Sequence, residues 1–152
     1  MYKSLFSPIR INTVEIKNRI AYPALGLLYS YDSKLNDRYY AYFAERAKGG
    51  AGLVTVGPVG VDFLGSWLLA LSLASDDTLP SFQKLSAIIH YGGAKSWYSS
   101  PMPGHIPIPF HPILIDGKQP IAPSAIFSGY SRVMPREMTI EDIQEVQKSQ
   151  IQ

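Results

Sequence analysis

Brief apolar runs alternate with helical segments in this sequence, which predicts an α/β fold with parallel strands. Runs at 19–23 and 52–56 have strand character. Segments 38–48 and 79–91 carry apolar residues at three- and four-residue intervals. Both helical segments end at a glycine pair, Gly49-Gly50 and Gly92-Gly93, and a new strand-like run follows at once. Links this short between strand and helix imply right-handed crossovers between parallel neighbours. A doubly wound sheet and a (β/α)8 barrel both satisfy the pattern.

Taken in order, Ile9-Arg10-Ile11 and Val14-Glu15-Ile16 alternate around Asn12-Thr13, the signature of a short hairpin. Arg19 to Tyr22, closed by Pro23 and Gly26, reads as a first buried strand. Asn36-Asp37 offers an N-cap to a helix with Tyr39, Tyr40, Phe43, Ala44 and Ala47 on its apolar face. Gly52-Leu53-Val54-Thr55-Val56 is a β-branched run that predicts a strand buried on both faces, ended by Gly57-Pro58. Leu79-Pro80-Ser81 opens a second helix with proline in its first turn, and Phe82, Leu85, Ile88 and Ile89 face inward. Ala94-Lys95 should open a third strand, but Ser96 to Pro112 is rich in proline, which supplies no ladder N–H. Thr139-Ile140-Glu141-Asp142 is a capping box, opening a helix with Ile140, Ile143 and Val146 inward.

Composition excludes several function classes. The 152 residues are 46% apolar and 17% charged, which suits one globular domain. A net charge of +2 without clustered cations argues against nucleic acid as a partner. There are no cysteines, so no disulfide or thiolate metal site can form. The N-terminus is charged and broken by Pro8, unlike a signal peptide, and the apolar stretch from Trp67 to Leu73 is too short to span a bilayer. A soluble, cytoplasmic protein is expected, with no membrane or metal partner.

Five segments together resemble the Old Yellow Enzyme / NADH:flavin oxidoreductase / 2,4-dienoyl-CoA reductase family. They are Leu5-Phe6-Ser7-Pro8-Ile9, Lys17-Asn18-Arg19-Ile20, Glu45 to Leu53, Pro120 to Ile126 and Pro135 to Ile143. Each is weak alone, whereas their order and spacing are specific. Residues 1–95 and 117–152 are family-like, and 96–116 are aberrant. The resemblance implies a (β/α)8 barrel with FMN at its C-terminal mouth, of which this chain carries the N-terminal, incomplete portion.

The resemblance also assigns a flavin wall. Pro23, Ala24, Leu25 and Gly26 match the family segment that lies against the flavin ring, and Gly57 and Pro58 match a second one. Backbone N–H and C=O must come close to an aromatic ring there, which suits small residues and proline. Many relatives carry Thr or Cys at the Gly26 position to tune the flavin; a glycine has no side chain for that. Read without the resemblance, both loops are ordinary βα turns. Gly26-Leu27-Leu28-Tyr29 is not a Gly-x-Gly-x-x-Gly phosphate loop, which removes support for a doubly wound nucleotide binder. His90 is expected to decorate a helix end, Asp76-Asp77 to lie in a surface loop, and Tyr39-Tyr40-Tyr42-Phe43 to serve the core and the helix surface rather than a cofactor. No catalytic residue is assigned within the chain.

The family places a Gln-Leu-x-His-Ala-Gly motif after the third strand, its Gln reading the flavin's pyrimidine edge with an amide donor and acceptor. The motif is missing here. Read from each third base, the codons for Trp97-Tyr98 force Val and those for Met102-Pro103 force Ala; permitted choices spell the missing motif. Segment 96–116 is therefore expected to be translated out of frame, which sequencing the coding DNA would decide.

The resemblance implies an ene-reductase: hydride passes from NAD(P)H to FMN N5 and on to an activated alkene or enoyl substrate. The residues that orient the substrate carbonyl and hold the FMN phosphate come from later strands in the family, as do the iron–sulfur cysteines of larger relatives. The chain is thus expected to be an inactive fragment prone to oligomerise or aggregate, or a non-enzymatic half-barrel that needs a partner chain or itself.

Overall fold

The computed structural model of the chain describes residues 2–30, 32–61, 71–100, 119–127, 129 and 132–151. An antiparallel hairpin comes first, β1 (Ile9–Ile11) against β2 (Val14–Ile16). Asn12 turns it at φ 51°, a left-handed conformation that asparagine tolerates better than most residues. The central unit follows: β3 (Ala21–Tyr22), α1 (Asp37–Lys48), β4 (Leu53–Val56), α2 (Leu79–Tyr91) and β7 (Lys95–Tyr98). Between β4 and α2 lies a second parallel pair, β5 (Val59–Gly60) and β6 (Leu71–Ser72). The main sheet has the order β3-β4-β7 with all strands parallel, as the short crossovers require.

Each predicted helix forms where its signals lie. The Asn36 side chain accepts the Tyr39 N–H at 3.3 Å, capping α1. The second glycine after each helix takes positive φ, 101° at Gly50 and 80° at Gly93, so the chain can reverse into the next strand. Phe43, Ala47, Leu85 and Ile89 then press on Val54 and Val56, and all six are at most 1% exposed. A buried Phe, Leu or Ile contributes about 1.5–3 kcal/mol each.

Among the described residues the sheet is covered on one side only, which corrects the expectation that 52–56 is buried on both faces. Register places Ala21, Leu53, Thr55, Lys95 and Trp97 together on the face away from the helices. Leu53 and Thr55 are half-buried and Trp97 is 56% exposed. In a closed barrel that face is filled by side chains from strands across the lumen.

The third strand is longer than the sequence suggested. It pairs with β4 from Lys95 to Tyr98, and the Ser99 N–H continues the ladder to the Val56 carbonyl at 2.8 Å. The proline-rich stretch from Pro101 on lies outside the described residues.

Below the sheet, two of the motifs behind the resemblance meet. Asn18 is 8% exposed; its amide donates to the Gly50 carbonyl at 2.8 Å and accepts the Ile20 N–H at 3.1 Å. Gly52 lies so close to it that an added Cβ would stand 2.5 Å from Asn18 Oδ1. Gly92 packs against α1 in the same way, where a Cβ would be 2.5 Å from that of Ala47. Lys17 reaches the Gly92 carbonyl at 3.5 Å.

Towards the C-terminus, β8 (Ile121–Ala122) pairs in parallel with β9 (Arg136–Glu137), and α3 (Ile140–Ile151) follows. The capping box forms: the Thr139 N–H donates to Asp142 Oδ2 at 2.7 Å, and the Asp142 N–H to Thr139 Oγ1 at 3.2 Å. Arg136 grips the same carboxylate through both guanidinium nitrogens, at 2.7 and 2.9 Å. The predicted inward face of α3 is open, with Ile140 66% and Ile143 39% exposed, because the described residues put no sheet beneath it. Among the described residues no helix is long and apolar enough to cross a membrane.

The Arg136 hydrogen bonds, and then the Thr139 N–H, hold the Asp142 carboxyl well below the usual carboxylate range. A depressed folded value means the cap is fully present above about pH 4, the ordinary Asp value, and is lost only as pH falls through the lower one. The carboxylate signal of Asp142 should therefore titrate last among the Asp residues, and Asp142→Asn should fray the first turn of α3. Side-chain NMR across pH 1–6 checks both; titration near pH 4 would contradict the capping role.

Candidate functional site

The loops predicted to form a wall leave their strands at the same end. Pro23 follows the last residue of β3 and Gly57 the last of β4, and the two strands run parallel. A Cβ built on Gly26 would lie 3.5 Å from Pro58 Cδ, so the loops touch. The third strand end joins them. The Val59 N–H donates to the Ser99 carbonyl at 3.0 Å, and a Cβ on Gly57 would come within 2.7 Å of that oxygen. Gly57 is thus glycine because the third strand approaches too closely for any side chain.

Sequence reasoning did not single out Ser99, since the prolines beyond it obscured the end of the strand. Its spacing carried the signal: Ser99 follows the last β7 residue just as Gly57 follows the last of β4.

The rim formed by these loops is open. Pro23, Ala24, Leu25 and Gly26 are all exposed, and among the described residues no hydrogen bond engages their backbone. Beneath them is a cavity of only about 10 Å³, walled by Leu27, Tyr39, Phe43, Val56, Pro58 and Leu71. It has room for one water at most. A planar ring system would therefore have to lie on the rim, over the N–H groups of Ala24, Leu25 and Gly26. A ring whose polar edge asks for backbone donors and acceptors fits this surface, and FMN is such a group. Among the described residues no cation lines the cavity.

An aromatic cluster supports the rim from below. Tyr22, immediately before Pro23, meets the Tyr42 hydroxyl at 2.5 Å and packs edge-on against Phe43, with ring centroids 6.4 Å apart. Burial, and then the bond to Tyr42, push the Tyr22 phenol up to about 12. Burial likewise raises Tyr39, whose hydroxyl accepts the Tyr29 N–H at 3.2 Å. These phenols are neutral at physiological pH and act as packing groups; of the expected core and helix-surface cluster, Tyr39 and Phe43 are buried and Tyr40 and Tyr42 half-buried.

The other candidates stand apart from the rim. His90 Nε2 lies 3.1 Å from Ser96 Oγ, on the helix-covered side of the sheet. Asp76 and Asp77 sit in a 3-10 turn (Asp76–Thr78) on the surface. Asp77 pairs with Lys34 at 3.6 Å, and the Ser75 hydrogen bond lowers its carboxyl, so the two form no acid–base dyad.

The chain and its fold are similar to those of known proteins. The pattern of the NADH:flavin oxidoreductase / NADH oxidase family matches residues 4–152. An NADH oxidase of Thermoanaerobacter brockii is 32% identical over 95% of this chain, which spans 22% of that protein. An NADPH dehydrogenase of Listeria monocytogenes is 32% identical over 93% of the chain, which spans 41% of it. A 2-naphthoyl-CoA reductase in complex with 2-naphthoyl-CoA superposes with a TM-score of 0.80 at 29% identity, over 99% of this chain and 25% of its own. The Old Yellow Enzyme homologue from Zymomonas mobilis gives 0.79 at 25% identity, over 96% of this chain and 42% of its own. The chain therefore spans roughly a fifth to two fifths of the relatives it matches.

Proposed function

Because this chain belongs to the NADH:flavin oxidoreductase / NADH oxidase family, we propose that it forms part of the flavin wall of an FMN-dependent, NAD(P)H-driven oxidoreductase of the ene-reductase type. One observation carries the reading: Pro23–Gly26 and Gly57–Pro58 touch at the C-terminal ends of parallel strands, and among the described residues no hydrogen bond engages the backbone of the first loop. Bound FMN would supply hydride transfer from NAD(P)H to an activated alkene, the hard chemistry being the cofactor's. Residues of this chain would position the ring. The N–H groups of Ala24, Leu25 and Gly26 would meet its polar edge, Pro58 would pack beside it, and Tyr22 with Phe43 would keep the loop from sinking. No side chain of this rim titrates in a range suited to proton transfer. Cytoplasmic residence belongs to the same reading, and with no cysteine the chain supplies no thiolate for an iron–sulfur cluster.

Titrating FMN into the chain while following backbone amide signals tests the wall. Shifts concentrated at 24–26, 57 and 59 are expected, together with quenching of flavin fluorescence. Shifts elsewhere, or none, would overturn the assignment. Gly26→Thr is a useful companion. A Cβ there makes only ordinary contact with Pro58, so stability should change by less than about 0.5 kcal/mol. The added hydroxyl should change the absorbance spectrum of bound flavin; a variant that unfolds would show the rim to be tighter than described.

The bare sheet face favours a second reading. With Trp97 56% exposed opposite the helices, the chain presents half of a core. On this view it is a non-enzymatic half-barrel, completed by a partner chain or by itself. Co-expression with a polypeptide bearing the remaining strands separates the two: burial of Trp97, read by fluorescence, without flavin uptake would favour it.

A further inference from the structure

The start of α1 holds Tyr29 by both its backbone and its ring. The Tyr29 N–H donates to the Tyr39 hydroxyl at 3.2 Å, and the Asn36 amide donates to the Tyr29 carbonyl at 2.8 Å. The Tyr39 ring lies 5.4 Å from the Tyr29 ring, and the Arg38 guanidinium stands 3.8 Å over it. Capping α1 explains only the bond that Asn36 accepts from the Tyr39 N–H. On the other side, Leu27 packs against the core. Leu28 is caught between these two anchored neighbours and takes φ 54°. That left-handed conformation is disfavoured about tenfold for leucine and is open to glycine. Packing of the Leu28 side chain does not account for it, since the residue is 42% exposed. Strain of this kind persists only where the surroundings over-determine it, and it gathers at binding sites.

Leu28 lies just beyond the 23–26 loop, whose backbone no hydrogen bond engages among the described residues. Contact with Pro58 apart, the shape of that loop is set from its ends, by β3 on one side and by the grip on Tyr29 on the other. We propose that Asn36 and Tyr39 are positioning residues for the flavin wall: their clamp on the Tyr29 peptide forces Leu28 into the left-handed region and so keeps 23–26 spread over the strand ends before any ligand arrives. This role rests on the flavin-wall reading. A wall already in shape spares the ligand the cost of ordering it. Without the clamp, the strained shape falls to about a tenth of the population, and affinity falls by the same factor.

Tyr39→Phe removes the hydroxyl and keeps the buried ring, and Leu28→Gly removes the strain. Both variants and their combination are compared in the full chain, first by backbone amide signals without flavin and then by FMN titration. In Tyr39→Phe the amide signals of 24–26 should move, and FMN should bind about tenfold more weakly. Leu28→Gly alone should bind within about twofold of the unaltered chain. In the double variant a glycine adopts the left-handed shape unforced, so affinity should return to within about threefold. Loss of a merely structural contact would not be rescued from position 28. Loop signals unchanged in Tyr39→Phe would overturn the clamp alone, as would unchanged FMN affinity or a double variant as weak as Tyr39→Phe. An unaltered chain that takes up no FMN would overturn the wall reading, and the role of the clamp with it, even where the loop signals move as expected.

Discussion

Phe43→Ala is expected to lower stability by about 3–5 kcal/mol, the usual cost of emptying an aromatic site in a packed core. Phe43 is 1% exposed and sits where α1, β3 and β4 converge. Its ring packs edge-on against Tyr22 and Tyr42, at 6.4 and 5.4 Å between centroids. Truncation removes those contacts together with the support under the rim loop. Against a typical total stability of about 5–15 kcal/mol, the loss is enough to leave a large unfolded fraction at 37 °C. Urea denaturation followed by circular dichroism gives the difference. A loss below about 1 kcal/mol would show that the cluster collapses into the gap.

Gly52→Ala is expected to cost about 1–3 kcal/mol from a single methyl group. The new Cβ would meet Asn18 Oδ1 at 2.5 Å, the Asn18 carbonyl at 2.7 Å and Ile16 Cγ2 at 2.9 Å. Backbone on one side and a buried, doubly bonded amide on the other leave little room to yield. If Asn18 swings away, its bonds to Gly50 and Ile20 break, and groups left buried without partners cost a further ~1–3 kcal/mol. Comparing Gly52→Ala, Asn18→Ala and the double variant separates the two effects. The double variant should be no worse than the sum of the singles and is expected to recover part of the clash. Strict additivity would mean the two residues do not interact.

Most of the fold was legible in the sequence because its signals are local. The Asn36 cap, the glycine pairs and the Thr139–Asp142 box each act within a few residues, and each helix begins and ends where they stand. The partnership of Lys17-Asn18-Arg19 with Gly52 was not legible. Thirty-odd residues separate them, and only the three-dimensional approach reveals that two motifs noticed for their family likeness are one structural joint. The same limit applied to β4. A β-branched run looks alike whether one face is covered or two, so the open side behind Leu53 and Thr55 had to be seen. At the rim, the first two loops were legible as turns with the right chemistry. Ser99 was not, because the prolines from 101 onward mask the strand character of the residues just before them.

Gly52 and Gly92 lie at one end of the strands, and the loops at 23–26 and 57–58 at the other. A methyl group would stand 2.5 Å from a neighbouring atom at the first two, whereas at Gly26 it meets only an ordinary neighbour. Tolerance to change is thus concentrated in the 23–26 loop, since Gly57 beside it is held as tightly as Gly52 and Gly92. A library of substitutions spread over the chain should lose its foldable members at the lower end and keep them along the exposed upper loop, where new chemistry could be tried without first restabilising the scaffold.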